Sequence, residues 1–325
     1  MNNKTQPPIF VVPQVFSKQG KSIVNAILRD GGKYQIIGLT SRDVQKTAQA
    51  DLLEKRGVKV VQVDLSDKDK LVEIYKGAYG VFIVKPVISP FDPEFKEKSF
   101  DLIKTQADAC LEANVQQVIF SATDGELDSN GKTRDQRYIE GLSIPFVTTF
   151  FLGFFYSNVI EFYRPKVEYI DDSQSPTIVF SQPFDDTTAV PYVDSYTATG
   201  QVVSSILANP HQYNRHSLKV VSEYLTGPQF AEIFQQSTGI KSRYQTIDCQ
   251  QYLIDNGFHA SPEYQFIGTA LYNTWLQSVI NTHRFKDQTN EYHCTPLLNL
   301  NQFLLSTKWN GIDSFDNFKL NNQYI

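Results

Sequence analysis

Cysteine is scarce in this chain of 325 residues: there are three, Cys110, Cys249 and Cys294, widely spaced and odd in number. That usage excludes a disulfide framework and fits a reducing compartment. Long hydrophobic runs are missing as well. Nowhere do about 18 apolar residues follow one another, so no membrane-spanning helix is expected. The opening residues, MNNKTQPPIF, hold no apolar run of signal-peptide length. The expected location is therefore cytoplasmic, with the nucleus as an additional site, and the Asn3-Lys4-Thr5 sequon is expected to stay unused. Positive charge is not in excess: 30 Lys and Arg stand against 35 Asp and Glu, a net charge of −5. That leaves no basic surface broad enough for nucleic-acid phosphates. HExxH and CxxC patterns are absent, the five histidines form no ligand cluster, and His293-Cys294 reads as a loop pair. No metal is expected. What remains is an ordinary globular balance, 41% hydrophobic and 20% charged, in a chain long enough for a sizeable core.

The pattern along the chain is strand, helix, strand. IFVV at 9–12 predicts a short buried strand, and GKSIVNAILRD at 20–30 an amphipathic helix with Ile23, Ile27 and Leu28 on one face. Further strands are predicted at 34–42, 58–64, 80–86 and 116–123, and one beginning at 144. Helices are predicted between them at 44–57, from Ser66 or Asp67 to Gly77, through Glu112, and at 132–142. This rhythm implies an α/β fold, a doubly wound parallel sheet of the Rossmann type, over residues 1–155. Beyond about residue 156 the elements become shorter and mixed. They predict a smaller α+β C-terminal lobe over 156–325, partly interleaved with the first domain. The Asn-rich tail from Asn299 reads as partly loose.

In such a sheet a ligand lies across the carboxyl ends of the strands, so the residues just after each strand carry the chemistry. The loop after the first strand is a dinucleotide-binding loop with most of its glycines missing. Gly20 keeps the third glycine place, while Gln14 and Ser17 fill the first two. Gln14 is expected to make the tight turn only at negative φ. Ser17 either intrudes on the path of the pyrophosphate or caps the helix over a closed site. Lys18 and Lys21 add charge to a helix N-terminus that already favours anions. Gly20-Lys21-Ser22 is not a Walker A motif, because Val15 stands where glycine is required.

After the second strand there is no acidic residue to hold the ribose hydroxyls of NAD. Arg42, with Lys46 one turn further, is an arrangement that accommodates a 2′-phosphate and hence NADP; a solvated pair at a helix start is the alternative. Asp64 closes the third strand, as an acceptor for an adenine amino group or as a helix cap. Lys85 and Ser121, at the ends of the fourth and fifth strands, sit where a nicotinamide ribose would lie. In short-chain dehydrogenases a tyrosine acid/base precedes its lysine by four residues. Lys132 is the candidate lysine, but Asp128 stands four residues earlier, and a carboxylate cannot supply a phenol's proton at neutral pH. No catalytic residue is assigned.

Several stretches together resemble the NmrA-like family, atypical members of the extended short-chain dehydrogenase class. They are LTSRD at 39–43, GVKVVQVD at 57–64, GAYGVFIVKP at 77–86, QVIFSAT at 117–123, IPFVTTFFLGFFYSNV at 144–159, VPYVDSYTATGQVVSSIL at 190–207 and LTGPQFAEIFQQSTGIKSRYQTID at 225–248. The resemblance implies a regulator that senses NADP(H), lacks dehydrogenase activity and acts through a protein partner, a transcription factor being the kind implied. It matches Arg42 and Lys46 to the 2′-phosphate positions, Asp64 to the adenine side and Lys132 to the lysine near the nicotinamide. The chain departs from the family where only Gly20 of the GxxGxxG survives, and where Phe151-Leu152 replaces an Arg-Pro. Two other readings stay open: an NADPH-dependent oxidoreductase of small quinone or carbonyl compounds, and an interaction protein that no longer binds nucleotide.

Overall fold

Short apolar runs that alternate with amphipathic helices can bury both faces of a sheet only if the strands run parallel and the helices cover them. The computed structural model describes residues 6–86, 88, 92, 94–123, 127–161, 163–169, 175–280 and 297–313, apart from the side chains of 274 and 277–280. It divides into two units, residues 1–152 with 196–220 and residues 153–195 with 221–325.

The first unit is a doubly wound α/β sheet. Its strands are β1 (Ile9–Val12), β2 (Gln35–Thr40), β3 (Lys59–Gln62), β4 (Ala78–Val84), β5 (Gln117–Ala122) and β6 (Phe146–Leu152). A seventh strand, Ser217–Val220, pairs with β6, and the spatial order is Ser217–Val220, β6, β5, β4, β1, β2, β3. Every pairing in this sheet is parallel. The chain leaves β1 toward β2 and β3 on one side, then crosses back to β4 and beyond on the other. The switch point therefore lies between the carboxyl ends of β1 and β4, where an open α/β sheet offers its ligand crevice.

Helices α1 (Lys18–Arg29), α2 (Ala48–Lys55), α3 (Lys68–Tyr75), α4 (Phe95–Glu112) and α5 (Arg134–Gly141) connect these strands. The helix predicted as one piece over 44–57 is broken: a 3-10 turn, Val44–Lys46, capped by Asp43, precedes α2. Asp67, not Ser66, caps α3, accepting from the Lys70 N–H at 3.1 Å. Core residues Phe10, Val11, Ile23, Val81, Phe82, Ile119 and Phe150 are fully buried.

The second unit holds two three-stranded sheets, one ordered Glu223–Leu225, Val190–Val193, Phe154–Phe155 and the other Ser242–Thr246, Pro176–Gln182, Lys166–Tyr169. Its core is aromatic, with Tyr163 stacked on Trp275 at 3.7 Å and Phe154 on the same indole at 6.2 Å. The segment after Asn299, expected to be partly loose, begins with a helix over Leu300–Thr307. Asn299 and Gln302 form a reciprocal capping box there, which satisfies donors at the helix start. Among the described residues no helix is long and apolar enough to cross a membrane, and no three His, Cys, Asp or Glu side chains are grouped to hold a metal. Cys110 and Cys249 are free thiols, and the His293-Cys294 pair lies outside the described residues.

Helix α1 is seated by a close contact within the first unit. Gly200, in the helix Ala198–Ala208, packs against α1 so tightly that a Cβ there would overlap the Ser22 carbonyl and lie 2.7 Å from the Ala26 Cβ. Its N–H donates to the buried Ser22 Oγ at 2.9 Å. Gly200→Ala is expected to lower unfolding free energy by about 1–3 kcal/mol, the usual cost of overpacking. Denaturant titration measures it, and an unchanged midpoint would contradict this packing.

Candidate functional site

The loop after β1 is built by backbone hydrogen bonds and one indispensable glycine. The Ser17 N–H donates to the Gln14 carbonyl at 2.8 Å, and the Val15 N–H to the Leu39 carbonyl at 3.0 Å. Gln14 has φ +53°, in the left-handed region. This corrects the expectation that a non-glycine there would need negative φ: the turn keeps a left-handed shape with a glutamine in it, at a cost of about 1 kcal/mol. The Gln14 amide also donates to the Val84 carbonyl at the end of β4, at 3.4 Å, so its side chain spans the switch point. Gly20 cannot be replaced so easily. A Cβ there would lie 2.5 Å from the Gln14 carbonyl oxygen and 2.9 Å from the Val15 backbone.

Ser17 caps α1, accepting from the Gly20 N–H at 3.0 Å. The helix therefore starts at Lys18 rather than at Gly20, and its positive end faces the carboxyl edge of β1. The Lys18 ammonium lies 6.0 Å from the Tyr196 ring centroid.

Beside this loop is a cavity of about 230 Å³ lined by Gln14, Phe16, Ser17, Leu39, Thr40, Ser41, Arg42 and Leu65. It brings Gln14, Ser17 and Arg42 together from among the sequence-predicted residues. The Arg42 guanidinium lies 5.9 Å from the Phe16 ring centroid, a cation–π distance, and the Arg42 N–H donates to the buried Thr40 Oγ1 at 3.1 Å. Lys21 is half-buried on the first turn of α1. Burial lowers its pKa first, and the charge of Arg42 lowers it further. Among the described residues neither Arg42 nor Lys21 has a carboxylate at ion-pair distance.

The other predicted residues lie outside this lining. Lys46 is highly exposed and paired with Asp43 at 3.0 Å, because the 3-10 turn brings the two together. Asp64 is exposed, and its carboxylate accepts from the Ser66 N–H at 2.9 Å and the Ser66 hydroxyl at 2.8 Å. Those bonds, the backbone one first, hold its pKa below the usual carboxylate range. It thus caps the turn that leads into α3. Lys85 pairs with the largely buried Asp135 at 3.1 Å. Lys132 pairs at 2.6 Å with Glu140, whose other carboxylate oxygen accepts from Gln136 at 2.8 Å and Thr149 at 3.1 Å. Ser121 is buried within β5 itself. Phe16, Leu39, Thr40, Ser41 and Leu65 are the lining residues that were not among the predicted site residues. Phe16 sits two residues after Gln14 in the loop, a position that could have been weighed; Leu65 carries no polar signal.

A match to the NmrA-like family model covers residues 17–273. The chain belongs to the NmrA-like family. Similar curated proteins are NmrA-like family domain-containing oxidoreductases, among them ptmS of Penicillium ochrochloron, 25% identical with 70% of this chain and 72% of that protein covered. FrzB of Cladobotryum sp is 23% identical, covering 74% and 76%. Among solved structures, NmrA, a negative transcriptional regulator, in complex with NADP is 20% identical with TM-score 0.60, covering 74% of each chain. A triphenylmethane reductase of Citrobacter sp. complexed with NADP(H) is 12% identical with TM-score 0.65, covering 90% of this chain and 98% of that one. These structures share the fold.

The crowding of two cations gives a sign that can be tested. A lysine whose folded pKa is lowered weakens the folded state while it is protonated. That burden is full below the folded pKa and fades as pH rises toward the unfolded value near 10.5. Lys21→Met is therefore expected to be more stable than the parent at pH 7, with the advantage shrinking toward pH 10. Urea midpoints across that range measure it. A variant less stable at pH 7 would show that Lys21 has an unseen anionic partner.

Proposed function

We propose that this NmrA-like protein binds NADP(H) at the carboxyl edge of β1 and β2 and acts as a non-catalytic regulator through a protein partner. The observation that carries the reading is the cavity beside Gln14 and Ser17, where Arg42 and nearby Lys21 place positive charge with no carboxylate at ion-pair distance among the described residues. A 2′-phosphate supplies the missing anion, and the amino end of α1 adds its dipole. Arg42 can grip such a phosphate with two parallel N–H donors.

The non-catalytic half of the reading rests on the residues that hydride chemistry would use. No tyrosine stands four residues before Lys132. The Lys132 ammonium is bound to Glu140, which places it in a network on the inner side of α5 rather than leaving it to tune a proton donor. The names of the curated relatives favour a second reading, an NADPH-dependent oxidoreductase of small quinone or carbonyl compounds. Such an enzyme would hold donor and acceptor together without an acid/base group.

Calorimetry separates these readings. NADP is expected to bind more tightly than NAD, and Arg42→Met to weaken NADP by about 10- to 100-fold while leaving NAD nearly unchanged, the loss of a charge-assisted bidentate contact. At a hundredfold excess over its dissociation constant NADP should stabilise the fold by about 2.7 kcal/mol. Equal binding of the two dinucleotides would overturn the preference for NADP, and absent heats for both would overturn NADP binding itself. Steady NADPH consumption with a quinone panel would replace the regulator with the oxidoreductase.

A further inference from the structure

One sheet of the second unit ends on an open edge. In the order Ser242–Thr246, Pro176–Gln182, Lys166–Tyr169, the strand Ser242–Thr246 has a neighbour on one side alone among the described residues. The pairing is parallel: the Ile178 N–H donates to the Lys241 carbonyl at 2.8 Å and the Ile247 N–H to the Gln182 carbonyl at 2.9 Å. In such a ladder alternate residues turn both backbone groups to the same side. Arg243 and Gln245 therefore bond inward, while Ser242, Tyr244 and Thr246 turn their N–H and C=O groups outward. The Ser242 N–H fixes this phase, because it donates to the Gln235 side chain at 3.1 Å and not to a strand. The edge carries no proline, and its register runs without a bulge. Outward backbone groups on such an edge are a template for one more strand.

A groove of about 390 Å³ runs beside this edge. The strand is one wall. The other is Pro228, Ala231, Glu232 and Gln235, a stripe at i, i+3, i+4 and i+7 on the helix Gly227–Thr238. Strand and helix are locked together before any ligand arrives: the Ser242 hydroxyl donates to the Ala231 carbonyl at 2.6 Å, and a Cβ on Gly227 would collide with the Tyr244 ring. The lining is acidic. Asp186 and Glu232 are exposed, and neither has a cation at ion-pair distance among the described residues. Arg243, the cation in the lining, is already engaged, donating to both Glu168 oxygens at 3.0 and 2.9 Å. That charge disfavours a second copy of the same edge and favours a chain carrying lysine or arginine.

We propose that the outer edge of Ser242–Thr246 docks an extended segment of a partner protein, which adds as a further strand and places a lysine or arginine in the acidic groove. Main-chain bonds to Tyr244 and Thr246 supply the affinity, and the groove selects side chains at alternate positions of the segment. The site lies within the second unit and uses no residue of the NADP reading, so either can fail without the other.

Amide hydrogen exchange of the full chain, followed by NMR, tests the edge and then its ligand. In the free protein the Tyr244 and Thr246 amides are expected to exchange at least about tenfold faster than those of Arg243 and Gln245. Slow exchange at Tyr244 and Thr246 would overturn the proposal. Protection that grows with protein concentration would give the edge to a second copy, and protection independent of it to another segment of this chain. The probes are the peptide acetyl-Thr-Val-Lys-Val-Thr-Val-Thr-amide, its form with glutamate for lysine, and two forms N-methylated on odd or on even residues. At about 1 mM the lysine peptide is expected to slow the Tyr244 and Thr246 amides by about tenfold or more. Glutamate in its place, and one of the two N-methylation patterns, are each expected to weaken binding about tenfold. Glu232→Lys is expected to reverse the preference between the lysine and glutamate peptides while leaving exchange in the free protein unchanged. No protection by the lysine peptide, or equal binding of it and both N-methylated forms, would overturn strand addition. A preference unaltered by Glu232→Lys would overturn the role of the acidic groove.

Discussion

One close approach governs the carboxyl edge of β1: Gly20 against the Gln14 carbonyl. With no side chain at residue 20, the first turn of α1 can sit directly on the loop that leaves β1. The Ser17 cap, the direction of the α1 dipole and the seating of Val15 against Gly38 all follow from it. Of three glycines that such a loop usually employs, the one retained is the one whose Cβ would strike backbone. The other two places tolerate side chains, because a left-handed residue costs only about 1 kcal/mol and a serine at the helix start recovers a capping bond. The degenerate loop is thus a working turn with altered contents, and its geometry survives the loss of its consensus.

What the altered contents change is the local bonding at the carboxyl edge of the sheet. Gln14 and Ser17 satisfy each other's surroundings where phosphates would pass, and the lysines beyond them are neutralised by acids on α5. Arg42 lies over the Phe16 ring and has no carboxylate at ion-pair distance among the described residues.

Much of the scaffold was legible because it is local. β1 falls on the predicted residues, and the strand–helix alternation sets the sheet, since apolar runs of that length leave few other ways to bury both faces. Boundaries moved where side chains compete for the backbone: Ser17 starts α1 earlier than Gly20 would, and Asp43 cuts a 3-10 turn out of the predicted second helix. That cut is also why Lys46 turns to Asp43 and away from the cavity. The site was legible only in part. Arg42 could be read from its distance past β2, but Lys85 and Asp135 are 50 residues apart and no local pattern announces their pairing. Ion pairs of that kind are decided by tertiary packing, and they determine which cations a ligand finds available.

The most direct test of the central claim is a crystal structure of the full chain grown with NADP. The expected result is a 2′-phosphate at the Arg42 guanidinium and adenosine in the cavity beside Phe16 and Leu65. A dinucleotide bound with Arg42 turned away from the 2′-phosphate, or no dinucleotide in this cavity, would contradict it.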